Sequence, residues 1–142
     1  MSSLNLEQAL TIIDVARKKG REMALKPLTI VVLDSGGHLL AFVKEGGGPL
    51  RENVARGKAY GAVGMGMASR QLGKIAEDRP MFMQALIDAS GGKLVPVPGG
   101  VLARDKDGNV MGGIGVSGDT SDNDSLCAVA GIEAVGLVAD DG

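Results

Sequence analysis

Residues 110–118 carry glycine at 112, 113, 115 and 118, interleaved with Ile114 and Val116. A β-strand stripped of side chains implies either a bulge or another backbone lying directly against it. A strand pattern enters this stretch from Asn109, and a helical pattern leaves it at about Ser121. The chain must therefore build a strand, a tight loop and a helix start here. Residues 113–118 also spell G-x-G-x-x-G, the phosphate-cradling fingerprint. A dinucleotide-binding unit needs a second parallel strand after the helix, with an acid about 20 residues on. Asp140 and Asp141 stand at that distance, but the pattern leaves no room for the strand before Gly142. No dinucleotide cofactor is expected. The loop still presents free amides at a helix N-terminus, where an anion or carboxylate can bind. Asp119, Asp122 and Asp124 alternatively satisfy those amides themselves.

The remaining segments follow from local patterns. Asn5 and Gln8 form a capping box ahead of Leu6, Ala9, Leu10, Ile13 and Ala16, which recur at helical spacing. Arg17, Lys18, Lys19 and Arg21 suit that helix's C-terminal end. Residues 28–33 are continuous and β-branched, so they read as a central strand. The turn Asp34-Ser35-Gly36-Gly37 leads to a second strand over 38–43. After the break at 45–49, a helical segment covers about 51–77, with a break expected near Gly64-Met65-Gly66. Each glycine costs about 1 kcal/mol against alanine in a helix interior. Gly57 and Gly61, one turn apart, thus imply close packing on a sheet, a subunit or a ligand. Pro80 starts a shorter helix with Phe82, Ala85 and Leu86 as its buried face. Residues 101–103 and 110–116 form a second hairpin around Asp107-Gly108. The last helix covers about 121–138, with Leu126, Val129, Ala130, Ala134 and Leu137 on its inner stripe. Hairpins dominate over crossovers, so residues 1–142 predict one α/β (α+β) domain, an antiparallel sheet with helices packed on it.

Composition excludes several classes. The formal charge of −2 and the aromatic set Phe42, Tyr60 and Phe82 argue against a nucleic-acid partner. Mean hydropathy is +0.15, yet no run reaches the ~18 apolar residues of a membrane span. No membrane association is expected. The N-terminus lacks signal-peptide features and Cys127 stands alone, so a cytoplasmic location is expected. A short, apolar chain with 23 glycines hides its apolar surface poorly in one small core, which predicts a homo-oligomer.

Candidate chemistry is sparse. His38 is the only histidine, so a two-histidine zinc site is excluded, whereas a single axial haem ligand is not. No G-x-S-x-G elbow occurs, and the S-x-x-K at residues 90–93 lacks its companion motifs. Asp119, Asp122, Asn123 and Asp124, or Asp105, Asp107 and Asn109, offer oxygen for a hard cation, or simply cap a helix and a turn. Lys58, beside Arg56 on the glycine-rich helix, is either a surface lysine, an anion contact or a buried amine with a depressed pKa.

Taken in order, residues 32–37, the pair Lys58-Ala59, Arg79-Pro80, residues 98–101, residues 112–119 and Asp124 resemble the GlcG/HbpS family of haem-binding-type proteins, which also appears as the C-terminal domain of PduO proteins. The resemblance covers about residues 6–138. It implies a profilin-like fold with a five-stranded antiparallel sheet, and a homo-oligomer. It also implies a small-molecule ligand, with haem as the possible cofactor. The corresponding pocket would lie between residues 98–100, residues 117–120 and the glycine-rich helix. Its ligand contacts would be Lys58, Arg56, Gly99, Gly100, Ser117, Gly118, Asp119 and Thr120, with His38 as iron ligand and Met65, Met67 or Met111 as other donors. The alternative is an enzyme or accessory protein acting on a small organic acid, with Lys58, Ser117 and Asp119 as cation, hydroxyl and acid–base group. No catalytic residue is assigned. Asp119 and the glycine-rich turn at 45–48 depart from the family pattern.

Overall fold

The computed structural model describes residues 2–142. In chain order the elements are α1 (Leu6–Glu22), β1 (Thr29–Asp34), β2 (Leu39–Lys44), α2 (Leu50–Met65), α3 (Ser69–Asp78), α4 (Pro80–Ala89), β3 (Gly100–Arg104), β4 (Val110–Ser117), α5 (Ser121–Ala134) and β5 (Val138–Asp140). The five strands form one antiparallel sheet in the order β2-β1-β4-β3-β5. β1 and β4 lie in its interior, as their unbroken apolar or glycine-rich character requires.

The period-two alternation of the strands divides the core between two faces. Ile30, Val32, Ile114 and Val116 join Ile12, Ala16, Ala128 and Ile132 in a cluster beneath α1 and α5. Val31 and Leu33 point the other way, against Ala55 and Ala59 of α2. Gly113 and Gly115 alternate with Ile114 and Val116, so they fall on the α2 face. A Cβ at Gly115 would collide with the carbonyl of Ala55, and one at Gly113 would lie 3.2 Å from the carbonyl of Ala59. The bare strand is thus the seat of a helix. On the far side of α2, a Cβ at Gly57 would press on Val95, and one at Gly61 on Leu94 and Leu72. The helix is held between the sheet and the segment that follows α4, and its glycines make that double approach possible.

The break expected near Gly64-Met65-Gly66 is present, and three details depart from the sequence pattern. The 51–77 segment is two helices, because Gly66 takes a left-handed φ of 69° and its amide closes on the Ala62 carbonyl. In α4, Met83 is buried and Leu86 half-buried, while Phe82 is exposed beneath the Arg79 guanidinium, 4.3 Å from the ring centroid. α4 packs mainly on α3, so its inner face is narrow. In α5 the fully buried apolar positions are Cys127, Ala128 and Ile132, with Gly131 beside them, whereas Leu126 is 48% exposed. Close contact with α1 selects small residues: a Cβ at Gly131 would lie 2.7 Å from the Ile12 carbonyl. Finally, a strand does follow the last helix. β5 runs antiparallel to β3, so the parallel β-α-β crossover that a dinucleotide fingerprint serves is not formed.

Candidate functional site

α2 carries two very different polar surfaces. Lys58 faces the sheet and is 2% exposed. Its Nζ donates to the Val116 carbonyl at 2.8 Å and to Asp124 Oδ2 at 3.3 Å. Asp124 Oδ1 accepts from the Asp119 amide at 2.9 Å. Burial is the main influence on both partners: it pushes the Lys58 ammonium down and the Asp124 carboxyl up, and each partner's charge opposes the other's shift. Gly99 and Gly100 lie flat against this lysine. A Cβ at Gly99 would stand 2.8 Å from Nζ, and one at Gly100 would strike the Lys58 carbonyl. The Gly100 amide donates to Ser69 Oγ at 2.7 Å. Ser117 is buried where β4 pairs with Thr29 of β1. Among the described residues, Thr29 Oγ1 is the buried side-chain atom without a hydrogen-bond partner.

The loop after β4 is equally occupied. Asp119 accepts from Asn123 Nδ2 at 2.9 Å, the Lys26 amide at 3.0 Å and the Thr120 amide at 2.9 Å. These bonds, the Asn123 one foremost, lower its carboxyl to about 2. Thr120 Oγ1 accepts from the Asn123 amide at 3.2 Å and so caps α5. The residues singled out around Lys58 do come together, with Gly118 tucked against Pro27 and Leu28. They form a bolt joining α2, the β3 entry, β4 and α5, in which Lys58, Asp124, Asp119 and Thr120 are hydrogen-bonded within the protein.

Arg56 lies two residues before Lys58 and points away from the sheet. With Asn53, Gly57 and Tyr60 it lines a hollow of about 440 Å³. Gly37, at the β1–β2 turn, and Gly91, Gly92 and Lys93, after α4, complete its wall. Lys93 Nζ sits 5.9 Å from the Tyr60 ring centroid. Among the described residues neither Arg56 nor Lys93 forms an ion pair. A second hollow of about 240 Å³ adjoins the first and shares Tyr60. Gly61, Gly64, Met65, Leu86 and Leu94 make it predominantly apolar. The first lies within the ~300–1,000 Å³ range of small-molecule sites.

His38 lines neither hollow, although Gly37 beside it does. Its side chain is 81% exposed, and Nδ1 lies 3.2 Å from Asp34 Oδ1. Asp34 Oδ1 also accepts from the amides of Gly36 and His38, which tightens the turn and, with the His38 amide foremost, lowers the Asp34 carboxyl. The acid-rich stretches are likewise spent locally. Asp105 accepts from the Asp107 and Asn109 amides and from Asn109 Nδ2, and Asp122 pairs with Arg70 at 2.8 Å. Among the described residues no group of three or more His, Cys, Asp or Glu side chains is placed to hold a metal ion.

Tyr60, Asn53 and Lys93 escape a reading by motif. Asn53, Arg56 and Tyr60 do share helical spacing and mark one face of α2. Lys93 has no such signal, because only the folding-back of the segment after α4 brings it there.

A family model described as haem degrading protein HbpS-like matches residues 4–133. The fold is similar to that in a crystal structure of a PduOC–heme complex, with TM-score 0.84 and 23% identity over 97% of this chain and 99% of that one. It is similar to a double mutant of Streptomyces reticuli HbpS, with TM-score 0.79 and 26% identity over 95% and 88% of the two chains. Klebsiella pneumoniae protein ORFY matches with TM-score 0.85 and 20% identity over 96% and 92%. No curated protein matches the chain.

Proposed function

The chain belongs to the HbpS-like family, and on that premise we propose that it is a small-ligand-binding protein whose ligand is haem or a related tetrapyrrole. One observation carries the assignment of a site: the two hollows that share Tyr60, one lined by unpaired cations and the other by apolar side chains. A tetrapyrrole with acidic side chains has the same division, a flat apolar ring with carboxylates on one edge. Arg56 and Lys93 would pair with the carboxylates, through charge-assisted hydrogen bonds. Met65, Leu86 and Leu94 would meet the ring. Glycines along the wall allow a flat molecule to approach the backbone. When bound, haem would supply a redox-active iron; the chain's own part is to bind, orient and partly desolvate it. The PduOC–heme complex supports the ligand class. Lys58, Gly99, Gly100 and residues 117–120 then serve the site indirectly, by fixing α2 against the sheet.

Haemin titration tests this reading. A Soret shift saturating at one haemin per chain is expected, weakened by Arg56→Gln with Lys93→Gln. An unchanged free-haemin spectrum at stoichiometric protein would overturn it. Self-association is part of the same proposal, supported by Leu39 and Phe42 exposed on the β2 edge strand and by Met81 exposed on α4. Light scattering on the purified protein should give a mass several times 14.4 kDa. A cytoplasmic setting belongs to the same proposal, supported by the one cysteine of the sequence, Cys127, being a free thiol. No helix is long and apolar enough to cross a membrane among the described residues.

A further inference from the structure

We infer that the cleft recognises the carboxylates and the flat apolar face of its ligand rather than a metal at its centre, so that metal-free tetrapyrrole dicarboxylates are ligands of the same site. The inference rests on the tetrapyrrole reading above and narrows it.

The polar end of the cleft is built for anions. Arg56 and Lys93 converge there from α2 and from the segment after α4, and among the described residues neither is ion-paired and no carboxylate lines the hollow. Asn53 adds a neutral hydrogen-bonding group. Among the described residues, no histidine, cysteine, aspartate or glutamate lines either hollow. His38, the one histidine of the chain, is exposed at the turn and engaged with Asp34. Two potential iron donors do reach the cleft, Tyr60 and Met65. Tyr60 presents its ring as the wall between the hollows, with the Lys93 ammonium over it. Met65 is packed against the cluster of Leu72, Met83 and Leu94, where a thioether fills an apolar gap. Haem proteins that use methionine ordinarily pair it with a histidine, and none is at hand. The forces available to the cleft are therefore charge pairing at one end and burial of a ring at the other. Neither depends on what the ring encloses.

The test compares three probes on the intact protein. Haemin is followed by absorbance, protoporphyrin IX by its fluorescence, and protoporphyrin dimethyl ester by the same signal. Protoporphyrin IX should bind within about threefold of haemin. The ester, which keeps the ring and loses both charges, should bind about a hundredfold more weakly, at roughly tenfold for each charge-assisted hydrogen bond removed. Arg56→Gln with Lys93→Gln should weaken both acids equally, and His38→Ala should change neither. Haemin binding thirtyfold or more tighter than protoporphyrin IX, with the gap closing in Tyr60→Phe or Met65→Leu, would overturn the inference and show ligation of iron from the cleft. Equal binding of acid and ester would overturn it from the other side. Haemin binding alone would leave the tetrapyrrole reading standing without this refinement, whereas binding of none of the three would remove the reading itself.

Discussion

Lys58 and Arg56 are two residues apart on one helix, and they live in opposite worlds. Lys58 is sealed between α2 and the sheet, with its charge matched by Asp124 and the Val116 carbonyl. Arg56 faces a hollow that no acid lines among the described residues. Around Lys58, glycine brings backbone against side chain and leaves no space. Around Arg56, Gly91 and Gly92 have nothing within 4 Å of where a Cβ would stand. The same residue type closes one region and opens the other. What differs is whether a second element already occupies the room that the missing side chain leaves. On the proposed reading the sealed end governs stability and the open end governs binding, so mutations should separate the two.

The largest effect is expected from Asp124→Ala, which strands a buried ammonium. It should lower unfolding free energy by about 3–5 kcal/mol in urea denaturation. Replacing both partners, Lys58→Met with Asp124→Leu, should recover part of that loss: no charge is left stranded, but the Asp119 amide and the Val116 carbonyl lose the partners that Asp124 and Lys58 gave them. Next comes Gly115→Ala. Its methyl group meets the Ala55 carbonyl, so α2 must lift from the sheet, at about 1–3 kcal/mol by the same measurement. At the open end, Arg56→Gln with Lys93→Gln should leave stability within ~0.5 kcal/mol of the parent. Its effect should appear only in haemin titration. A stability loss as large as that of Asp124→Ala would dissolve the division between the two regions.

The smallest effect concerns the loop that joins the bolt to α5. The Asp119 carboxyl is lowered to about 2, from about 3.9 in an unfolded chain. A depressed folded value means that its contribution is complete above the unfolded value and is lost as pH falls through about 2. Amide exchange at Lys26 and Thr120, whose backbone N–H groups donate to this carboxylate, should accelerate across that window. Asp119→Asn should remove the pH dependence, because an amide side chain does not titrate there.

Much of the fold was legible locally. The Asn5–Gln8 capping box is present in both its hydrogen bonds, at 2.8 and 3.0 Å. The hairpin turns at 34–37 and 105–109, the central character of β1 and the break at Gly66 follow from turn chemistry and burial patterns that span a few residues. The inner face of α5 was harder to read. Leucine and valine mark a stripe by hydrophobicity, yet close approach to α1 buried Cys127, Ala128 and Gly131 instead. Hydrophobic periodicity records which residues avoid water, and it is silent on how near the neighbouring helix comes.

The candidate site divides along the same line. By itself the sequence determined that the glycines of β4 and α2 must lie against something, that residues 117–120 begin a helix, and that Lys58 and Arg56 belong to one helix. The rotation of that helix against the sheet decided the rest. It sent Lys58 inward to Asp124, sixty-six positions away, and Arg56 outward to meet Tyr60 and Lys93 in one hollow. Those contacts join segments distant along the chain. Their energies come from desolvation and packing in three dimensions, which no local pattern of residues records.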